Sequence, residues 1–444
     1  MNAHTVLPER LRFPGARPMD YCAGLLLQIA LFDSLFSLSG MKADDGGVSR
    51  QLLWGFLGTA GLVYLVVQGI DRHRRTIDFG GLPVAFLFGY VFLSAAWSAA
   101  PDSTVKRALV LSFVVIVAAT GVGGHSTAWN KDEFSRKLVA PLFILLGLSV
   151  LLTVVAPGRA FTDIGWRGIS SHKNEAGQMM AVATLLLLYG SVLVRQQRAL
   201  RYCLLGLCVL FLILAKSTTS LLGLILGVGI TEVLTLGSTF TRCRSWKALL
   251  LGALLVGSAL LFVAHQCELL PTTGEVYSRL LNALGKSETL TGRTAIWEQV
   301  LVESRFHNVL IGTGYGGFWV GPDSISGYVR VGDGLYPGQA HNGYLDIYNE
   351  LGVLGLGLLS GMLVVGAYRV QRLFALGHVE AKLHLAILLM CLFLNLGEST
   401  FFRNSQFMNI VYFASFVRTF AILRQARMAA KRQDRGWEAP ATSG

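Results

Sequence analysis

Long apolar runs dominate the chain, broken at near-regular intervals by short polar or basic stretches, and each run is close to the roughly 20 residues that cross a bilayer as a helix. They fall near residues 21–40, 51–70, 81–100, 107–124, 138–156, 177–194, 202–216, 219–237, 248–265, 344–367, 382–398 and 406–423. This pattern predicts an all-α polytopic membrane protein of about twelve transmembrane helices. One polar interruption is far longer than the others, residues 266–343 between the ninth and tenth runs. Within it, Ile296, Trp297, Val300 and Leu301 recur at helical spacing and predict an amphipathic helix over 290–302, resting on the bundle or the membrane surface and capped by Thr291 or Thr294. The stretch Gly312 to Phe318 then reads as a flexible turn. Its glycines match the letters of a dinucleotide fingerprint, but neither a preceding strand nor a following helix supports that use.

Composition agrees with a membrane protein: 53% of the residues are hydrophobic and 14% charged, with a mean hydropathy of +0.54, outside the range of ordinary soluble enzymes. The net charge of +12 is distributed by side. Every second connection is basic: Arg10, Arg12 and Arg17; Arg72, Arg74 and Arg75; Lys131, Arg136 and Lys137; Arg195, Arg198 and Arg201; Arg242, Arg244 and Lys247; Arg369, Arg372 and Lys382. The positive-inside rule makes these connections and both termini cytoplasmic. The long segment 266–343, the connections 157–176 and 399–405, and the tight turn Lys216–Ser220 then lie outside. The basic tail 424–444 is expected to attract anionic lipid, and nucleic acid is not an expected partner.

The chain reads as one membrane domain over 1–444, with the outer segment as a cap that does not fold alone. No cleavable signal peptide is expected, because a polar, Pro-containing stretch precedes a full-length first span. Of six cysteines only Cys267 is placed outside, which argues against a disulfide framework or a cysteine zinc site.

Chemistry-bearing residues gather on the expected outer face. Arg167, His172, Lys173 and Asn174 stand just before the sixth span, where basic donors and a new helix N-terminus suit an anionic group; anchoring at the headgroups is the plainer use of the same cations. Arg293 opens the amphipathic helix, where the helix dipole disfavours a cation, while Arg279, Lys286 and Arg305 read as solvated surface charges. His341 and Asn342 precede the tenth span, followed by Asp346, Asn349 and Glu350, carboxylates and amides of a kind that normally face a bundle interior. A neutral imidazole suits proton transfer near neutral pH, and a structural histidine is the alternative. No carboxylate and histidine cage appears, so no metal or other cofactor is expected. The abundance of cations suits stabilisation of a diphosphate leaving group.

The spacing His341-Asn342, nine residues, Gly352, two residues, Gly355 resembles the histidine motif of the O-antigen ligase and polymerase superfamily. Thr291-Gly292-Arg293 with Ile296-Trp297, the Gly312 to Phe318 turn and Gly168 to Gly177 support the resemblance, which covers about 138 to 423. It implies a glycosyltransferase of the bacterial inner membrane. That enzyme moves a glycan from an undecaprenyl-diphosphate carrier to an acceptor hydroxyl on the periplasmic side, inverting the anomeric centre and using no metal. On this chain it implies His341 as the base and Arg167 and Arg293 on the diphosphate, with Lys173, His172, Asn174, Asn342 and Lys216 as binding residues. Ser171-His172-Lys173-Asn174 is similar to the exopolysaccharide polymerase branch and leans the reading to repeat-unit polymerisation. A ligase acting on lipid A-core is the alternative. A transporter is the competing class, in which Asp33, Glu232 and Asn395 would line a central two-sided pathway.

Overall fold

A computed structural model of the chain describes residues 18–35, 48–71, 81–122, 132–190, 197–235, 288–304, 306–331, 334–404 and 406–434. The ninth span expected at 248–265 lies outside these residues. So do Arg279, Lys286, Arg305 and Cys267. The described chain is helical: α1 Pro18–Leu35, α2 Val48–Asp71, α3 Leu82–Leu93, α4 Pro101–Val122, α5 Glu133–Val155, a single turn α6 Pro157–Ala160, α7 Lys173–Tyr189, α8 Arg198–Leu214, α9 Thr218–Thr235, α10 Glu288–Ser304, α11 Gly343–Ala375, α12 Ala381–Leu394 and α13 Phe407–Asp434. A two-stranded antiparallel ribbon, β1 Phe161–Thr162 and β2 Gly165–Trp166, lies between α6 and α7.

Six stretches among the described residues are long and apolar enough to cross a membrane, namely Ser49–Val67, Pro101–Val122, Phe134–Val155, Thr218–Thr235, Gly343–Ala375 and Phe407–Lys431, and shorter apolar helices add to them. Burial sorts centre from rim. The window in Phe407–Lys431 is 89% buried whereas that in Ser49–Val67 is 22% buried, so α13 is central and α2 peripheral among the described helices. In lipid there is little hydrophobic drive between helices, so close packing decides association. Gly223 and Gly227, one turn apart on α9, supply such packing: a Cβ at Gly227 would stand 3.2 Å from the carbonyl of Ala386 on α12.

Charge also ties helices together. At one end of the bundle Glu380 is fully buried and receives Arg418 Nε at 2.9 Å and Nη2 at 2.8 Å, His384 Nε2 at 3.2 Å and the amide of Phe134 at 3.3 Å. Intramembrane charges persist only when paired in this way. The three residues that the alternative of a transporter would use each have partners of their own. Asp33 binds Arg50 and Trp54, Glu232 binds Lys382, and Asn395 is used up by Cys391, Thr400 and Phe401.

The expected continuous tenth span is broken. Gly352 has φ +67, a left-handed value that interrupts α11, and a Cβ there would collide with the backbone of Leu310 and Ile311. The freed backbone groups are met by the cap instead of by the helix. Val353 N donates to Val309 O at 2.9 Å, Leu354 N to Leu310 O at 3.1 Å, and Thr313 N to Asn349 O at 3.0 Å. Unpaired main-chain groups at membrane depth are costly, so an irregular loop is tolerated here because it completes the broken helix. The Gly312–Phe318 turn is correspondingly not loose: Gly312, Gly314 and Gly316 hold positive φ and pack on Glu350, Ser98 and Arg107.

Candidate active site at one end of the bundle

Five segments distant in sequence converge at the end of the bundle opposite Glu380: the start of α7, the α8–α9 turn, α10, the stretch before α11, and the α12–α13 connection. Their hub is Glu398, whose side chain is 7% exposed. Its Oε1 accepts from Asn174 Nδ2 at 2.6 Å and Arg293 Nη2 at 2.9 Å, and its Oε2 lies 3.6 Å from His341 Nδ1. The sequence reading did not single out Glu398, although the connection carrying it was placed on the outer face.

Each partner is held from its own element. The amphipathic helix expected at 290–302 extends from Glu288 to Ser304, so Thr291 and Thr294 lie inside it and Arg293 occupies its second turn instead of its first. Its buried face carries Ile296 and Val300. Trp297 Nε1 donates to Ala340 O at 2.8 Å, and Gln299 pairs with both backbone groups of Arg330 at 3.0 Å. Gly397 clears the path of Arg293, since a Cβ there would stand 3.1 Å from Nη1.

His341 has φ +52, a conformation uncommon for a side chain of this size. It is fixed from both sides. Ala340 N donates to Asp346 Oδ1 at 3.2 Å, and Asp346 is itself held by Trp319 Nε1 and Arg403 Nη2, each at 2.7 Å. On the other side, Asn342 N donates to Ser399 Oγ at 3.0 Å and Gly343 N to Asn395 O at 2.9 Å. Gln339 Nε2 reaches His341 Nδ1 at 3.3 Å. No hydrogen bond engages His341 Nε2 among the described residues, and the side chain is 26% exposed.

The remaining expected site residues fall into two groups. Lys173, Lys216 and His172 join the cluster electrostatically: the Lys173 ammonium is lowered by desolvation first and then by Arg293 and Lys216, with Glu398 opposing. His172 is lowered from its ordinary 6.5 by desolvation, with His341, Lys173 and Arg293 acting in the same direction and Glu398 opposing. Its Nδ1 also caps α7 by accepting Asn174 N at 3.2 Å. Asn342 likewise serves a helix start, its Oδ1 accepting Tyr344 N and Leu345 N at 3.1 Å. Arg167 does not join the cluster through its described contacts. It stays with the β-ribbon, donating from Nε to Arg159 O at 3.2 Å.

The arrangement places two imidazoles, His172 and His341, beside a carboxylate and three cations, at the end of an apolar bundle. These features belong to a multi-pass membrane protein with a cationic cluster at one end of its bundle. Residues 202–360 match the protein family described as O-antigen ligase. The chain is also similar to the exopolysaccharide production protein ExoQ of Rhizobium meliloti (strain 1021), 25% identical over 371 residues that cover 80% of this chain and 77% of that protein. Both similarities support a relation to the O-antigen ligase and polymerase superfamily of membrane glycan enzymes. Lys216, Arg293, His341 and Asp346 lie within the family match, whereas Lys173 and Glu398 lie beyond it.

Proposed function

We propose that the protein is a periplasmic-face glycosyltransferase of the inner membrane. In this reading it moves a glycan from an undecaprenyl-diphosphate carrier to a sugar hydroxyl, as a polymerase of lipid-linked repeat units. The observation that carries this reading is the placement of His341, with Nδ1 3.6 Å from Glu398 and Nε2 without a described partner, among Arg293, Lys173 and Lys216.

The chemistry follows from those groups. In the tautomer whose hydrogen lies on Nδ1, towards Glu398, His341 Nε2 takes the proton of the acceptor hydroxyl while the acceptor oxygen forms a bond to the anomeric carbon of the donor. The bond from that carbon to the diphosphate oxygen breaks, and its electron pair leaves with the diphosphate. Attack opposite the leaving group inverts the anomeric centre. At 3.6 Å the Glu398 carboxylate is beyond a direct hydrogen bond, yet its charge favours the imidazolium that forms. Arg293, Lys173 and Lys216 stabilise the negative charge developing on the leaving diphosphate, a role that does not call for a metal. Arg167, expected beside Arg293, is left out of this set.

The relative's printed role in exopolysaccharide production favours polymerisation. The family description favours a second reading, a ligase that transfers the glycan to lipid A-core. Reconstitution with an undecaprenyl-diphosphate-linked repeat unit as sole substrate tests both. A ladder of products supports a polymerase, product only on adding lipid A-core supports the ligase, and no glycosidic product in either case overturns the proposal.

A further inference from the structure

The cap exposes an apolar tip on the side where it completes α11. Phe306 is 79% exposed, Leu310 58%, Val302 55% and Val309 47%, close together in sequence between α10 and the loop that fills the helix break. Such a patch on the outer surface of a water-facing loop would be unfavourable.

Its level relative to the bilayer follows from α11. From Val353 to Tyr368, before the basic residues Arg369 and Arg372, the helix runs roughly 24 Å at 1.5 Å per residue, most of a hydrocarbon core of about 30 Å. The break at Gly352 therefore lies near the membrane interface, and the first segment, Gly343 to Leu351, stands above it within protein. Directly past the break, Leu354 is 50% exposed on the outside of this apolar span. Leu310 O accepts from Leu354 N at 3.1 Å and Val309 O from Val353 N at 2.9 Å, so the tip continues that surface at the same height. Interfacial aromatics mark the level as well. Trp97 Nε1 donates to Ile311 O at 3.2 Å and Tyr90 Oη to Leu351 O at 2.8 Å, their rings 5.9 Å apart. Tyr and Trp are enriched at this depth, where one end of the ring is apolar and the other polar.

We propose that the segment Phe306–Leu310 is a membrane-interface anchor, seated among the acyl chains of bilayer phospholipid, which fixes the height of the cap. The occupant is phospholipid, because the patch is continuous with the exposed apolar flank of α11 and is held there by main-chain hydrogen bonds. The cap is thus inserted at its edge and not merely laid over the bundle.

The test places the photoreactive residue p-benzoylphenylalanine singly at Phe306, Leu310 and Leu354. The full-length protein in nanodiscs of phosphatidylethanolamine and phosphatidylglycerol is irradiated and its adducts identified by mass spectrometry. Phospholipid adducts at 306 and 310 at yields within about threefold of those at 354 are expected. Adducts at 354 alone overturn the anchor. Cross-linked dimers through 306 or 310 also overturn it, assigning the tip to a second copy of the chain. Absence of lipid adducts at all three positions removes the shared surface on which the proposal stands.

Discussion

Arg293 of the cap and Glu398 of the α12–α13 connection form an ion pair at 2.9 Å across 105 residues of sequence, with the carboxylate side chain 7% exposed and the guanidinium 21%. The pair joins the cap to the helical bundle at the point where the cations collect. Glu398→Gln leaves Arg293 without its counter-charge and adds to the mutual repulsion of Arg293, Lys173 and Lys216. Loss of a fully buried pair costs roughly 3 to 5 kcal/mol; the exposure of Arg293 brings the expected loss to about 2 kcal/mol. Thermal unfolding in detergent measures it, and an unchanged midpoint would show that the pair does not hold the cap.

Replacing His341 by Asn separates backbone from chemistry. Asn tolerates the left-handed conformation that His341 adopts, so folding and insertion are expected to be kept. Transfer is expected to fall by about 10² to 10⁴, the usual contribution of a positioned base. Turnover within a few-fold of the parent protein would remove His341 from proton transfer.

Gly352→Ala meets two obstacles together, a left-handed φ and the backbone of Leu310 and Ile311. A severe loss of folded protein is expected, beyond the roughly 1 to 3 kcal/mol of the conformation alone. Gly357→Ala, with no neighbour within 4 Å, is the matched control and is expected to be neutral or stabilising by up to about 1 kcal/mol. Yield of monodisperse protein in size-exclusion chromatography compares the two.

His172 supplies a dependence on pH. Its folded pKa lies below the ordinary 6.5, so as pH falls through 6.5 the unfolded chain takes up the proton first and stability declines toward the folded pKa. His172→Asn retains an acceptor for the start of α7 but does not titrate. The variant is expected to show a flatter unfolding midpoint between pH 7 and pH 5.5 than the parent, and parallel curves would assign the dependence elsewhere.

The helical membrane architecture was legible in the sequence because an apolar run of bilayer length is itself the physical requirement for a span. The grouping of His172, Lys173, Lys216 and His341 at one end was legible too, since the alternation of basic connections had already put their segments on one side. Glu398 was not, because a single acid in a short connector carries no pattern; its role arises only when Asn174, Arg293 and His341 meet it in three dimensions. The break at Gly352 was hidden because an isolated glycine inside a helical pattern is commonly tolerated and does not by itself mark a break. Arg167 stands near His172 and Lys173 in sequence, while its described hydrogen bond goes to Arg159 O.

The main chain of residues 309–313 replaces hydrogen bonds that α11 lacks at Gly352. Cap and helix are consequently one mechanical body at that seam, without a hinge between them on this side. A chimera that exchanges the cap between relatives must therefore carry residues 349–354 with it, because a grafted loop of different register would leave the helix without the partner that completes its turn.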